Sequence, residues 1–230
     1  MSDLEPAPRL KWFSKLIVRA YFKLFHQYEA LGLEHMPPQP PVFVLTNHVS
    51  NLDVPAFALA DPYAGSCLVA KESLTKTPIV KQVMRSWGAI PVARDGNDSS
   101  ALREVLRRLR EGRLVAIASE GTRNRQGGLG ETNPVLARLA IQASASGIPL
   151  IPLAAHGTYE CLPRGAVIPR PGKVKVLIGP RFDLSHLKAW PRDEAVEEAR
   201  RIIRDRLWVM MESGLPIAPP ALGHPPGRRV

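Results

Sequence analysis

From residue 41 to about residue 213, short apolar runs alternate with amphipathic stretches, and this alternation limits the fold more than any other feature of the chain. The runs "PVFVLT", "SCLVAK", "AIPVAR", "RLVAIAS", "IPLIPLAA" and "KVKVLIG" have the length and β-branched content of strands. Between them, "VPAFALA", "TPIVKQVMRSWG", "DSSALREVLRRLREG", "NPVLARLAIQASASG" and "RDEAVEEARRIIRDRLWVMMES" read as helices. Pro55 suits a first helical turn, a Ser/Asp cap opens the stretch before residue 101, and Gly112 and Gly147 stop their helices. Strands alternating with helices imply an α/β fold: a mostly parallel, twisted sheet flanked by helices on both faces. At 230 residues and 45% hydrophobic content, the chain can bury one such core. No internal repeat is visible.

The first 35 residues read differently. Residues 10–31, "LKWFSKLIVRAYFKLFHQYEAL", are expected to form one helix, which "MPPQPP" ends. Lys11, Lys15, Arg19 and Lys23 recur every four residues as a basic stripe, with Trp12, Phe13, Leu16, Ile17 and Leu24 filling the remainder. Such an amphipathic helix, dense in both aromatics and cations, suits a membrane interface better than the alternative, a core-packing helix with a solvated basic edge. The organisation is therefore residues 1–35 as a membrane-associating helical segment, 36–213 as the α/β domain, and 214–230 as a disordered Pro/Gly-rich tail. The net charge of +10 points to phosphate-bearing partners: nucleic acid, an anionic membrane or phosphorylated substrates. No run of about 18 apolar residues occurs, so no transmembrane span is expected. "MSDLEPAPR" is not the basic start of a signal peptide. Cys67 and Cys161 stand far apart, make no zinc or redox motif, and read as buried thiols in a reducing compartment.

Residues 47–53, "NHVSNLD", follow the first strand of the domain. Five helical residues turn through about 140°, so His48 and Asp53 would not share a helix face. With His48 in the loop and Asp53 opening the next helix, the chain can fold back and let His48 Nδ1–H donate to Asp53. That arrangement leaves Nε2 as a base and stabilises the imidazolium. Taken alone, the pair is also what an ordinary Asp helix cap looks like.

Other stretches also sit at the carboxyl ends of strands, where open α/β sheets bind ligands. "ASEGTRNRQGG" offers Gly121 for close backbone approach, the Arg123 fork for a phosphate, and Glu120 to hold a guanidinium. It is equally a loop with solvated arginines. Arg94 closes "WGAIPVAR", and "GIPLIPLAAHGT" carries two prolines in an apolar run, unusual for a central strand.

These blocks, in this order, resemble the glycerolipid acyltransferase family, typified by 1-acyl-sn-glycerol-3-phosphate acyltransferases. "NHVSNLD" matches its Asn-His-x4-Asp block, "GAIPVAR" its Gly-x-Ile/Phe-x-x-x-Arg block, and "EGTR" its Glu-Gly-Thr-Arg block. "IPLIPL" looks like its proline-bearing apolar block, with Pro152 the best match, and the likeness covers roughly residues 35–185. The resemblance implies His48 as general base and Asp53 as its orienter. It implies Arg123 and Arg94 on the acceptor phosphate, with Glu120, Gly121 and Thr122 shaping that cradle and Pro152 lining the acyl or acceptor side. It further implies transfer of a fatty acyl group from acyl-CoA or acyl-carrier protein to a lyso-glycerophospholipid, first of all 1-acylglycerol-3-phosphate, giving phosphatidic acid. No acyl-enzyme, cofactor or metal is involved in that chemistry. The partners expected are the lyso-phospholipid acceptor, the acyl donor and an anionic membrane surface, not nucleic acid. The expected location is peripheral, on the cytoplasmic face of a bacterial inner membrane.

Two departures bear on the acceptor. Ala118 and Ser119 stand where the family usually has an aromatic residue and a proline, and "ETNPVLARLA" lacks the Lys-Gly pair that often follows. A lyso-lipid with another headgroup, such as a lyso-aminolipid, therefore stays open. A His/Asp hydrolase would need a metal cluster or a nucleophile, and His26, His35, His156, His186 and His224 show no ligand spacing. A non-catalytic basic membrane- or nucleic-acid-binding module is the remaining alternative. The arginines of "REVLRRLREGR" read best as a solvated helix face, with no nucleic-acid-binding signature beside them.

Overall fold

The computed structural model describes residues 8–63, 65–71, 78–92, 99–124 and 127–217. Its centre is a seven-stranded sheet in the order β1-β7-β6-β2-β5-β3-β4. The strands are β1 (His26–Leu31), β2 (Val42–Thr46), β3 (Cys67–Lys71), β4 (Ile90–Val92), β5 (Leu114–Ala118), β6 (Leu150–His156) and β7 (Gly172–Ile178). All neighbours pair parallel except β6 and β7. This is the expected mostly parallel α/β architecture, with helices on both faces.

The alternation along β2 shows why the sheet is covered twice. Phe43 and Leu45 point into one core with Val105 and Leu109 of α4 (Ser99–Arg110), Leu136 of α5 (Pro134–Ser144), and Ile203 and Leu207 of α7 (Arg192–Ser213). Val42 and Val44 point into a second core with Phe22 of α1 (Pro8–Phe25), and with Ala56 and Ala60 of α2 (Asp53–Ala60). A strand buried on both faces has to be apolar at every position, so the run reads as continuous rather than alternating. Each such fully buried side chain contributes about 1.5–3 kcal/mol by leaving water.

The N-terminal segment differs from expectation. The helix stops at Phe25, and residues 26–31 form the edge strand β1. His26 is in register with Gly172 and Leu31 with Leu177, so β1 satisfies the backbone groups along the outer edge of β7. Tyr28 and Ala30 share one face at strand spacing and pack on the α2-side core, with Tyr28 Oη donating to Ala56 O at 3.0 Å.

The basic stripe of α1 also divides. Lys11 Nζ lies 3.4 Å from Asp61 Oδ2, and Lys15 Nζ donates to Asp61 O at 2.7 Å, so these two cations turn inward. Burial lowers the Lys15 pKa, which Asp61 partly offsets. Phe22 is buried, and Ser14 Oγ accepts at 2.7 Å from Nε1 of Trp87, which follows α3 (Pro78–Ser86). What α1 presents outward is apolar: Trp12 (67% exposed), Phe13, Leu16, Ile17 and Leu24 (77%), beside exposed Arg19 and Lys23. Among the described residues, no helix is long and apolar enough to cross a membrane.

Pro152 sits inside β6, a strand paired on both sides. Its carbonyl accepts from Gly179 N at 2.9 Å, just past the end of β7. The missing proline N–H therefore costs one bond at the end of that ladder and none inside it.

Candidate active site

The site begins where β2 ends. Asn47, fully buried, donates through Nδ2 to Ala155 O (3.0 Å) and accepts from Ala155 N through Oδ1 (2.8 Å). Its amide thus imitates one more backbone unit of the β2–β6 ladder and holds the end of β2 against β6. The chain then turns away, and residue 48 is gripped through its backbone. His48 N–H donates to Glu120 Oε2 at 3.0 Å, and His48 O accepts from Asn124 N at 2.9 Å.

Asp53 is the first residue of α2 and is 0% exposed. Its Oδ2 accepts from Val49 N, Ser50 N and His48 Nδ1, each at 2.8 Å. Its Oδ1 accepts from Thr158 Oγ1 at 2.5 Å. An oxygen already accepting two backbone N–H groups has to be met by an N–H on the imidazole, so Nδ1 carries the proton and Nε2 is the acceptor. The position before the helix is Leu52, with no side-chain capping bond. Asp53 is thus not an ordinary helix cap: it ties down the turn that precedes it and the ring of His48. That ring is 24% exposed and faces a cavity.

Four elements meet here. Thr158 opens the short helix α6 (Thr158–Cys161) after β6, and Gly157 makes the turn at φ 82°. A Cβ at Gly157 would lie 2.1 Å from Lys173 O, so that turn requires glycine. After β5, Ser119 N donates to Thr46 O at 2.7 Å, which lays the Glu120 loop against the His48 turn. Gly121 follows at φ 73°, where a Cβ would come within 3.2 Å of Asn133 Nδ2.

Glu120 is buried, and its oxygens accept from His48 N (3.0 Å) and Gly130 N (2.8 Å). Burial pushes its pKa up to about 7, against the pull of those two N–H groups and with a further push from Asp53. The carboxylate is turned to backbone, not to a guanidinium. Arg123 Nη1 donates to Asn51 Oδ1 at 2.7 Å, which brings the arginine to the same turn as His48. Gly121 and Thr122 are exposed on that loop. Arg94 lies outside the described residues. Pro152 is not brought to the cavity: it lies beside Gly179 on the opposite face of the sheet, and Leu153 lines the cavity instead. Thr158 and Asn124 were not singled out from sequence, because both reach the turn only through the sheet topology.

The cavity holds about 110 Å³ and runs from His48 between the sheet and α2. Its walls include Val44, Val54, Phe57, Leu68, Ala116 and Leu153, with Lys11, Asp61 and Trp87 also lining it. Three further histidines bond within the fold: His26 Nε2 to Tyr21 Oη (2.9 Å), His35 Nδ1 to Ile178 O (2.6 Å) and His156 Nδ1 to Met211 O (3.0 Å), while His224 lies outside the described residues.

Fold and site together define an α/β protein with an oriented imidazole at the carboxyl end of the central strand, at the mouth of an apolar cavity. The acyltransferase family model matches residues 27–156, more than half of the chain. The chain belongs to the acyltransferase family and is an O-acyltransferase. It is 27% identical over 186 residues to the 1-acyl-sn-glycerol-3-phosphate acyltransferase of Borreliella burgdorferi, spanning 79% of this chain and 70% of that one. It is 28% identical to a chloroplastic 1-acyl-sn-glycerol-3-phosphate acyltransferase of Brassica napus over 67% of this chain, but spans only 44% of that protein. The crystal structure of the 1-acyl-sn-glycerophosphate (LPA) acyltransferase from Thermotoga maritima matches with a TM-score of 0.66 at 26% identity, covering 88% of this chain and 82% of that one.

Proposed function

We propose that the protein moves a fatty acyl group from acyl-CoA or acyl-carrier protein to the free hydroxyl of a lyso-glycerophospholipid at an anionic membrane surface. The first acceptor is 1-acylglycerol-3-phosphate, and the product is phosphatidic acid. The observation that carries this reading is the His48–Asp53 pair, fixed at 2.8 Å at the mouth of an apolar cavity.

The steps follow from the groups present. His48 Nε2 takes the proton of the acceptor hydroxyl as its oxygen attacks the thioester carbonyl. Asp53 holds the ring and balances the imidazolium charge. The tetrahedral oxyanion collapses, the C–S bond breaks, and the imidazolium returns its proton to the thiolate. The acyl group passes directly between substrates, so no nucleophilic serine is needed. Positioned general-base transfer contributes about 10²- to 10⁴-fold. The apolar cavity accepts an acyl chain, and Arg123, bonded to Asn51 of the same turn, offers a fork to the acceptor phosphate. The outward apolar face of α1, with Arg19 and Lys23 beside it, rests the protein on the leaflet that holds the acceptor.

The test is product identification by mass spectrometry after incubation with both donors and a panel of lyso-lipids that includes lyso-aminolipids. Acylated 1-acylglycerol-3-phosphate is expected, with turnover lost in His48→Ala while the protein stays folded. Acylation of a lyso-aminolipid alone would replace the acceptor, and a fully active His48→Ala would remove the base.

A further inference from the structure

The segment between α6 and β7, "PRGAVIPRP", is not used by the chemistry above. It is nonetheless a built loop. Arg170 N donates to Cys161 O at 2.7 Å and closes its base, and Ala166 N donates to Pro163 O at 3.1 Å and makes its first turn. Cys161 and Leu162 are buried beneath it, and Ala166 packs against the core that contains Phe22 and Ala56. Prolines at 163, 169 and 171 stiffen what remains. On this closed frame Val167 is 90% exposed and Ile168 80%, more than any other large hydrophobic side chain among the described residues. Exposed Arg164 and Arg170 flank them.

The loop has two neighbours. His26 is in register with Gly172, so the loop re-enters the sheet where α1 has just ended, beside exposed Leu24 and Phe25. On its other side, Leu162 O accepts from Ser50 Oγ at 2.8 Å, and α6 leads from Thr158, which donates to Asp53. The loop thus stands between the end of α1 and the turn that holds His48.

We propose that the 163–171 loop is a second membrane-inserting element, with Val167 and Ile168 entering the acyl region and Arg164 and Arg170 meeting anionic headgroups. A lipid surface fits better than a protein partner. The apolar tip projects from a closed loop, its cationic rim complements an anionic leaflet, and it adjoins the exposed apolar end of α1. One anchor allows the protein to roll about α1; two fix its tilt and hold the His48 turn toward the leaflet. The choice of a lipid occupant rests on the acyl-transfer reading, but insertion is measured without turnover.

Val167→Cys carries an environment-sensitive dye selectively, because Cys67 and Cys161 are buried. With phosphatidylglycerol–phosphatidylcholine vesicles the dye is expected to shift to the blue and to be quenched by bromine on the acyl chains. Vesicle-bound protein whose dye keeps its aqueous spectrum would overturn the proposal, as would a blue shift that needs only high protein concentration and no lipid. In the double variant Val167→Asp, Ile168→Asp, affinity for the same vesicles is expected to fall on the order of tenfold or more, since each lost apolar insertion is replaced by a charge facing anionic lipid. Activity on a short-chain acceptor below its micelle concentration is expected to stay unchanged. Unchanged vesicle affinity would sink the second anchor. Should the wild type acylate no acceptor at all, the acyl-transfer reading falls, and the dye measurement still decides insertion.

Discussion

The turn at residues 47–53 and the loop at residues 120–124 leave the carboxyl ends of adjacent strands, β2 and β5, yet they are built in opposite ways. In the turn, Asn47, Ser50 and Asp53 are buried, and Asp53 alone receives hydrogen bonds from Val49, Ser50, His48 and Thr158. In the loop Glu120 is buried, whereas Gly121 and Thr122 are exposed and Arg123 reaches across to Asn51 at the surface. A proton transfer needs its base held to about half an ångström, and the turn supplies that rigidity. The lipid headgroup of the proposed acceptor has to approach from outside, and a half-buried arginine on a loop leaves room for it. The proposed function thus assigns reaction and recognition to neighbouring strands, and these roles are tested by asking whether they fail in different ways.

The largest difference is expected at Asp53. In Asp53→Asn the amide keeps the shape but can present an NH2 to His48 Nδ1, which favours the wrong tautomer. A kcat loss of about 10²- to 10⁴-fold is expected with KM little changed. Steady-state kinetics on the purified variant check this; a loss carried by KM instead would place Asp53 with recognition.

Glu120 comes next, because its buried carboxyl titrates near neutrality. Its pKa in the folded protein is pushed up to about 7, from an ordinary value of 4.5. The folded state therefore holds this proton more tightly than the unfolded chain does. The cost of the buried charge is absent below pH 4.5, grows as pH rises towards 7, and is complete above it, reaching on the order of 3 kcal/mol. Glu120→Met removes that dependence. The difference in unfolding free energy between variant and wild type should move in the variant's favour from pH 4.5 to 7 and then level off. A difference that stays flat across that range would show that the carboxylate is not destabilised by burial.

Most of the architecture was legible in the sequence, because a strand covered on both faces, such as "VFVLT", leaves a continuous apolar run that few other structures need. The end of α1 was not legible. Tyr28, Ala30 and Leu31 continue an apolar pattern that fits a helix as well as a strand, and only the open edge of β7 decides between them. The His48–Asp53 contact was legible because it is local, five residues apart. Glu120 was legible as a motif residue but not in its action, since its partners, His48 N and Gly130 N, are backbone groups. Thr158 was invisible, being 105 residues from Asp53 and joined to it only by the placement of β6 beside β2.

Thr158→Val therefore tests a contact that only the fold reveals. It keeps the side-chain shape and removes one donor from the buried Asp53 carboxylate. Loss of a hydrogen bond to a charged group costs about 1.5–3 kcal/mol. Chemical denaturation is expected to show a stability loss in that range. The rate should fall by less than in Asp53→Asn, because His48 Nδ1 keeps its acceptor. A rate loss as large as that of Asp53→Asn would mean that Thr158 determines the orientation of the whole pair.

The smallest effect is expected at Arg123, and it sharpens the contrast between turn and loop. The side chain is only half-buried and its hydrogen-bond acceptor is the neutral Asn51, so removing it leaves no buried charge behind. Its interaction with an acceptor phosphate takes place close to solvent, where pairing is worth about 1 kcal/mol and is screened by salt. Arg123→Ala should raise KM for the phosphate-bearing acceptor by roughly fivefold to tenfold with kcat nearly unchanged. The KM ratio of variant to wild type should shrink as ionic strength rises, since salt weakens only the enzyme that still has the charge. KM for the acyl donor should not move. A kcat loss in Arg123→Ala, insensitive to salt, would mean that the loop shares in fixing the reacting groups, and the division of labour between β2 and β5 would no longer hold.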